Sequence, residues 1–181
     1  MTTTVHPPPR RRSAWTFTQK IKRVAWAVLA RPVWWLLPAA RPALLRAFGG
    51  VVGDQCRFAA SVSVTIPWNV RIGDGVQIGP DVKLYSLGLI TIGSHTVIDR
   101  SAHLCAGTHD MRDSRFPLIT PPITIGHGSF IGVDAYIGPG VELRAKTRVW
   151  PRASVYRSFD AGVELSGNPA RPIEARTEVL S

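Results

Sequence analysis

Residues 66–104 read IPWNVRIGDGVQIGPDVKLYSLGLITIGSHTVIDRSAHL. A large aliphatic residue recurs at every sixth position, from Ile66 to Ile90 and, after a shift of two positions, from Ile92 to Leu104. Nearly every one is followed four positions later by a small or β-branched residue. This rhythm matches neither the helical period of about 3.6 residues nor the strand alternation of about two. It is the hexapeptide repeat of a parallel β-helix, so the sequence predicts an all-β solenoid with the large residues stacked inside.

The repeat extends in both directions, from Val52 to Val155, which predicts a β-helix over residues 51–160 and a C-terminal tail over 161–181. One interruption, residues 110–122, contains three prolines and no residue in phase with the repeat. It is predicted to be a loop expelled from the solenoid. Side chains on irregular backbone can point in directions that the regular repeat does not allow, which favours a functional site at this loop. A neutral surface insertion is the alternative interpretation.

Charge is distributed unevenly along the 181 residues, which are predicted to form one domain with a terminal extension. The formal net charge is +10, and residues 1–50 hold nine Lys and Arg and no Asp or Glu. The rest of the chain holds 13 basic and 12 acidic residues and is nearly neutral. The high pI therefore belongs to the N-terminal segment, which argues against a nucleic-acid groove on the solenoid.

The N-terminal segment is predicted to divide into a disordered basic tail, 1–13, and a Trp-rich basic helical segment, 14–50. Prolines interrupt the second part, so short kinked helices are expected, and no stretch reaches the roughly 18 apolar residues that span a bilayer. Arg31 and Pro32 interrupt the apolar run that a signal peptide would need. Two roles remain open. The helices cap the open end of the solenoid, or they also contact an anionic membrane surface, as a peripheral protein on the cytoplasmic face would.

Two histidines, His103 and His109, occupy the same position of successive repeats, and His109 is the last residue in phase before the expelled loop. A neutral imidazole there can accept a proton from a hydroxyl group near neutral pH. His109 is therefore the favoured general base, and His103, one hexapeptide repeat earlier, is the alternative. The two cysteines are 49 positions apart and show neither a disulfide framework nor metal-ligand spacing.

Several motifs of this chain together resemble one known group. They are YSLGLITIG at 85–93, LCAGTHD at 104–110, FPLI at 116–119, PITIG at 122–126 and SGNPARPI at 166–173. The Trp-rich N-terminal stretch, AFGG at 47–50 and PWN at 67–69 fit the same group. The chain resembles the colanic acid biosynthesis acetyltransferases, which belong to the hexapeptide sugar O-acetyltransferases. The resemblance covers residues 14–173.

This resemblance implies a left-handed β-helix and a homotrimer with its active sites between subunits. It implies acetyl-CoA as the donor and no metal. The acetyl group would be transferred directly to a carbohydrate hydroxyl in bacterial surface-polysaccharide assembly. In one version of the hypothesis, the acceptor is linked to a lipid. His109 matches the family's catalytic histidine, and Asp110 is expected to orient His109 or the acceptor. A small xenobiotic or amine acceptor is the alternative substrate.

The resemblance also suggests binding residues. Asp81 and Ser86 fall at acceptor-contacting positions, where the family carries an Asn and an acidic residue, so a different acceptor is expected. Further acceptor candidates are Asn69 and Tyr85. Small residues of the second repeat block should line the pantetheine channel, and two arginines should contact the CoA phosphates. These donor-binding candidates are Gly132, Ala153, Arg157 and Arg171.

A rival hypothesis of another class is a non-catalytic or metal-binding hexapeptide protein. Three histidines would have to converge across coils, and only His103, His109 and His127 lie in a suitable region. Their positions within the repeat are sixth, sixth and third, so they are not expected to share one column. The sequence therefore favours the acetyltransferase.

Overall fold

The computed structural model describes residues 16–173. The predicted basic tail 1–13 and the last part of the predicted C-terminal tail lie outside the described residues. The first part consists of short helices: α1 (Phe17–Ala25), a π-helical turn (Trp26–Ala30), α2 (Arg31–Leu36), a 3-10 turn (Pro38–Ala40) and α3 (Arg41–Ala47), with a further 3-10 turn at Pro67–Asn69. Within these residues, no helix has the length and apolar character needed to cross a bilayer.

Capping and proline explain where these helices begin. Thr16 accepts a hydrogen bond from the Gln19 backbone while the Gln19 side chain accepts one from the Thr16 backbone, which is a complete capping box for α1. Proline occupies the first turn of α2, of the 3-10 turn that follows and of α3. Proline is tolerated there because the first-turn N–H groups have no intrahelical partner. The predicted kinked helices are therefore present.

The rest of the described chain contains 19 short strands joined by turns. They are β1 (Val51–Val52), β2 (Arg57–Phe58), β3 (Ser63–Val64), β4 (Val70–Ile72), β5 (Gln77–Ile78), β6 (Lys83–Tyr85), β7 (Ile90–Ile92), β8 (Val97–Ile98), β9 (His103–Cys105), β10 (Thr108–His109), β11 (Leu118–Ile119), β12 (Ile123–Ile125), β13 (Phe130–Ile131), β14 (Tyr136–Ile137), β15 (Glu142–Leu143), β16 (Arg148–Val149), β17 (Ser154–Val155), β18 (Glu164–Ser166) and β19 (Arg171–Ile173).

The strands build three parallel sheets that form the sides of a solenoid of about six coils. Sheet A contains β1, β4, β7, β12 and β15; sheet B contains β2, β5, β8, β13, β16 and β18; sheet C contains β3, β6, β9, β14 and β17. Each strand pairs with the equivalent strand of the next coil. In sheet A, for example, Val52 pairs with Ile72, and Ile72 pairs with Ile92. The predicted β-helix is confirmed.

The core is a set of three aliphatic columns, one behind each sheet. The sheet C column consists of Val64, Leu84, Leu104, Ile137 and Val155, all of which are buried. Most of the small or β-branched residues four positions after a large one are also buried at the corners, as predicted, among them Val76, Ala102 and Ala153. Where they are polar, they are satisfied: the Thr96 hydroxyl donates to the Gly126 carbonyl at 3.1 Å.

The helices cover the open end of the first coil. Trp26 Nε1 donates to the Val64 carbonyl at 2.9 Å, and Trp34 Nε1 donates to the Ala60 carbonyl at 3.0 Å. Arg41, only 6% exposed, donates from its guanidinium to another carbonyl of this coil and to a helix carbonyl. A solenoid end needs such partners because its edge carbonyl groups would otherwise be buried without hydrogen bonds. The N-terminal helices therefore cap the open end of the solenoid.

The solenoid extends beyond the predicted boundary at residue 160. Phe159 bridges to Leu143 of sheet A, and β18 then pairs in parallel with β16. The six-residue spacing resumes from Phe159 to Leu165 after a change of phase, which concealed this coil. Strand β19 turns back antiparallel to β18, so Arg171 faces Ser166 in the register. The first part of the predicted tail therefore completes the last coil.

The interruption between β9 and β12 is a β-hairpin. Thr108 pairs with Ile119 and His109 pairs with Leu118 in an antiparallel ladder. The predicted loop 110–122 thus contains a strand of its own. It leaves the solenoid at the corner where the chain passes from sheet C to sheet A, which we term the C–A edge.

Candidate active site

His109 lies at the end of β10 with its side chain exposed. Its Nδ1 is 2.7 Å from the backbone carbonyl oxygen of Phe116. A carbonyl oxygen can only accept, so Nδ1 carries the proton and donates it to this bond. The neutral ring then keeps its unprotonated lone pair on Nε2. The hairpin therefore selects the tautomer that a general base requires.

The tip of the hairpin holds the Phe116 carbonyl in place. Phe116 adopts a φ of 46°, in the left-handed region that non-glycine residues seldom occupy. Its N–H donates to the Asp113 carbonyl at 2.8 Å, and the Asp113 carboxylate accepts from both the backbone and the guanidinium of Arg115. These hydrogen bonds lower the pKa of Asp113 and raise that of Arg115. The unusual backbone at Phe116 thus belongs to a compact turn.

Asp110 also has a local structural partner. One carboxylate oxygen accepts from the Arg112 N–H at 2.9 Å, and the Asp110 N–H donates to the Pro117 carbonyl at 3.0 Å. The group that orients His109 is the Phe116 carbonyl, which sequence reasoning missed. The only signal for it was the FPLI motif at 116–119, which marked the segment without indicating a backbone contact.

Two predicted acceptor residues support the corner on which the hairpin rests. The Asn69 side chain donates to the carbonyl groups of Ser86 and Leu87 at 3.0 and 2.8 Å. The Ser86 hydroxyl donates to the Ile66 carbonyl and accepts from the Ile66 N–H, each at 2.9 Å. Ser86 has no exposed surface, so in this structure it presents no group to an acceptor.

The base of the hairpin packs directly on that corner. A Cβ added to Gly88 would overlap the Thr120 carbonyl oxygen and would approach the Ala106 carbonyl oxygen to 2.9 Å. A Cβ added to Gly107 would come within 2.9 Å of the Leu87 side chain. Both glycines therefore permit a close approach that sequence reasoning did not single out.

Tyr85 begins an aromatic column on the outer face of sheet C. Its ring centroid is 6.3 Å from that of His103, which in turn is 5.6 Å from Tyr136. Burial, and secondarily Lys83, lowers the pKa of His103. Burial and a hydrogen bond with Cys105 raise the pKa of Tyr136 to about 12. The half-buried His103 ring is thus enclosed by tyrosines, whereas His109 is exposed.

Four of the five remaining predicted binding residues lie at the opposite edge of sheet C, where the chain passes from sheet B to sheet C. We term this the B–C edge. Asp81 lies there, exposed and with a φ of 60°, in the turn between β5 and β6. Gly132 follows β13, and Ala153, which is buried, precedes β17. Arg171 follows the turn after β18 at the same edge.

Arg157 is separated from this group. It follows β17 at the C–A edge, and its guanidinium carbon lies 4.9 Å from the centroid of the Phe159 ring. The structure therefore brings three of the four donor candidates to one edge and His109 to the other. No group of three His, Cys, Asp or Glu within residues 16–173 is arranged to hold a metal ion.

Comparison with known proteins decides the family. No family profile matches the chain. WcaF of Escherichia coli K12, named as a colanic acid biosynthesis acetyltransferase, is 40% identical over 156 residues, which is 84% of this chain and 86% of the relative. The chain belongs to this acetyltransferase family. It is therefore an acyltransferase, and the resemblance noted in its motifs is confirmed.

Another relative and two solved structures are also similar to this chain. Nodulation protein L of Rhizobium leguminosarum is 31% identical over 108 residues, 58% of this chain and 56% of the relative. A hexapeptide-repeat acetyltransferase from Vibrio cholerae matches with a TM-score of 0.81 and 25% identity, covering 88% of this chain and 93% of the other. A galactoside acetyltransferase in complex with coenzyme A matches with a TM-score of 0.79 at 19% identity, covering 90% and 84%, and this likeness concerns the fold alone.

Proposed function

We propose that this acetyltransferase transfers an acetyl group from acetyl-CoA to a carbohydrate hydroxyl in bacterial surface-polysaccharide assembly, with His109 as the general base. The observation that carries the proposal is the bond from His109 Nδ1–H to the Phe116 carbonyl, which leaves Nε2 of this exposed side chain able to accept a proton. The name of WcaF supports the polysaccharide pathway. The donor is supported by related folds solved with coenzyme A and acetyl coenzyme A.

The proposed chemistry needs little from the chain beyond proton transfer and orientation. When bound, acetyl-CoA supplies an acetyl thioester. His109 Nε2 accepts the proton of the acceptor hydroxyl as that oxygen bonds to the acetyl carbon. The Phe116 carbonyl stabilises the resulting imidazolium through the Nδ1–H bond. His109 then returns the proton to the departing CoA sulfur, so that an ester and free CoA leave the site.

We also propose that the site is shared between copies of the chain in a homotrimer. His109 lies at the C–A edge, whereas Gly132, Ala153 and Arg171 lie at the B–C edge. The strand and corner residues between these edges span roughly 15 Å at about 3.3 Å per residue. A thioester held at the B–C edge of the same chain is therefore beyond the reach of His109, and a neighbouring copy would bring the two edges together.

The acceptor in this proposal is a sugar carried on a lipid, and the enzyme works as a peripheral protein at the inner face of the cell membrane. Asp81 and Tyr85 are the predicted acceptor residues with exposed side chains, while Asn69 and Ser86 shape the corner beneath the hairpin. Arg157 and Arg171 remain candidates for the CoA phosphates.

An acceptor screen tests this function. The purified enzyme is incubated with acetyl-CoA and either extracted lipid-linked glycans, free sugars or small amines, and products are identified by mass. We expect an added acetyl group on the glycans that is released by mild base, because esters hydrolyse and amides persist. A base-resistant product, or transfer to amines alone, would contradict the proposal.

A further inference from the structure

The N-terminal helices expose an unusually apolar surface. Phe17, Ile21, Val24 and Val28 are 78%, 53%, 63% and 61% exposed. Their spacings of four, three and four residues place them on one side of α1 and its π-helical continuation. More large exposed side chains follow within the next nine residues: Leu29, Trp35, Leu36 and Leu37. We call Phe17, Ile21, Val24 and Val28 the N-terminal apolar face.

The other side of the same helices is already occupied. Trp26 and Trp34 are buried and bond to carbonyl groups of the first coil. On a helical projection, Trp26 lies about 180° from Phe17, so the two residues point in opposite directions. The N-terminal apolar face therefore points away from the solenoid, at its end. Capping accounts for the tryptophans but not for the apolar side chains opposite them.

The charges beside this face favour one occupant. Lys20 lines a shallow depression with Ile21, Val24 and Val28, and Lys22 is exposed on the same helix. The first 50 residues contain no acidic side chain. An apolar face bordered by Lys20, on a helix whose other lysine is also exposed, suits a lipid interface. The apolar side chains enter the acyl boundary there and the lysines meet anionic headgroups.

We propose that the N-terminal apolar face lies in the surface of an anionic lipid bilayer and holds the solenoid end-on to the membrane. Membrane binding by this face does not depend on the reaction, whereas its consequence for the acceptor rests on the function proposed above. Neighbouring strands are about 4.8 Å apart, so His109, on the third coil, lies roughly 10 Å beyond the first coil. The helices add about 10 Å. The base would then act roughly 20 Å from the bilayer, on sugars near the lipid end of a membrane-linked glycan.

Vesicle co-sedimentation of the full-length chain tests the surface without acetyl-CoA or acceptor, so its result is independent of the chemistry. The vesicles are phosphatidylethanolamine mixed with phosphatidylglycerol, with phosphatidylcholine vesicles for comparison. The test variant is Ile21→Gln, Val24→Gln, Val28→Gln, and its matched control is Val51→Gln, because Val51 is 60% exposed on the first coil. A second pair compares Lys20→Gln, Lys22→Gln with Arg71→Gln, an exposed residue of sheet A.

We expect binding to the anionic vesicles, at least tenfold weaker binding by the triple variant, and weaker, less salt-sensitive binding by the lysine variant. Val51→Gln, Arg71→Gln and His109→Asn should bind as the parent does. Circular dichroism confirms that each variant is folded. The proposal is overturned if the parent stays in the supernatant at low salt or if the triple variant binds equally well. A third result would also overturn it: the parent does not bind vesicles, and the triple variant has a smaller oligomeric state than the parent. A second copy of the chain, and not lipid, would then cover the face.

Discussion

His109 combines an exposed ring with a fixed tautomer because the Phe116 carbonyl occupies its Nδ1–H. A general base contributes roughly 10²–10⁴-fold to the rate, and its loss leaves binding of the donor largely intact. We therefore expect His109→Asn to lower kcat by about that factor, with acetyl-CoA affinity nearly unchanged in calorimetry. His127→Asn, which alters an exposed turn histidine, is the matched control. An active His109→Asn enzyme together with an inactive His103→Asn enzyme would place the base at His103, one strand earlier in the same coil.

His103 has a different physical character, because it is half-buried against Tyr85 and Tyr136. Burial, and then Lys83, lowers its pKa below the ordinary value of 6.5. The folded protein therefore binds this proton less well than the unfolded chain does. The free energy of unfolding is not reduced by this group above about pH 6.5, and it falls as the pH drops through the pKa of the folded state.

The expected result is a Tm that falls less steeply with acidification in His103→Phe than in the parent protein. Phenylalanine keeps an aromatic ring between the tyrosines but cannot bind a proton. Thermal unfolding at several pH values between about 7 and 5 measures the difference, since other titrating groups cancel between the two proteins. Parallel curves would show that His103 does not titrate differently on folding.

The position of the hairpin depends on close contact with the solenoid corner. Alanine at Gly88 would place its Cβ against the carbonyl groups of Thr120 and Ala106, and backbone atoms cannot turn aside as a flexible side chain can. We expect Gly88→Ala to displace the hairpin and to lower kcat by about 10- to 100-fold, because small misplacements of a catalytic group are costly.

The matched control for Gly88→Ala is Gly162→Ala. Gly162 has a φ of 74° and no atom within 4 Å of the position that a Cβ would take, so alanine there strains a remote turn without a clash. It should cost about 1 kcal/mol of stability and leave kcat unchanged. Equal kcat values for the two variants, measured well below both Tm values, would show that the hairpin position does not depend on Gly88.

The solenoid could be predicted from the sequence because each coil repeats the same requirement for a large inward residue and a small corner residue. Ile72 stacks on Ile92 in sheet A, and Leu84 stacks on Leu104 in sheet C, as the spacing predicts. The last coil was missed because Phe159 and Leu165 follow a different phase. His109 could be proposed from its position before the interruption. Its partner could not, because the Phe116 carbonyl is a backbone group whose direction depends on the folded hairpin.

Ser86 shows the same limit from the other side. Its place in the sequence matched an acceptor contact, yet its hydroxyl satisfies both backbone groups of Ile66 one coil below. Contacts between coils join residues about 20 positions apart, so a side chain's partner cannot be read from its neighbours in sequence. The same holds for Asn69, which secures the carbonyl groups of the corner beneath the hairpin.

At the scale of the whole molecule, three surfaces have separate roles. The helical end carries Lys20, Lys22 and the N-terminal apolar face, the C–A edge carries His109, and the B–C edge carries most of the proposed donor residues. Because the two edges flank sheet C, the proposed reaction requires a second copy of the chain. A closed cyclic arrangement would repeat this pairing at every interface.

A subunit-mixing experiment tests most directly whether His109 acts on a donor held by a neighbouring copy. One parent carries His109→Asn, and the other carries Val133→Trp with Arg171→Glu, two exposed positions at the B–C edge. Each alone should be nearly inactive. After co-expression and random assembly, about a quarter of the interfaces combine an intact His109 with an intact B–C edge, so activity should return to roughly a quarter of the unmodified level. Mixed oligomers that form but remain as inactive as their parents would contradict a site shared between copies.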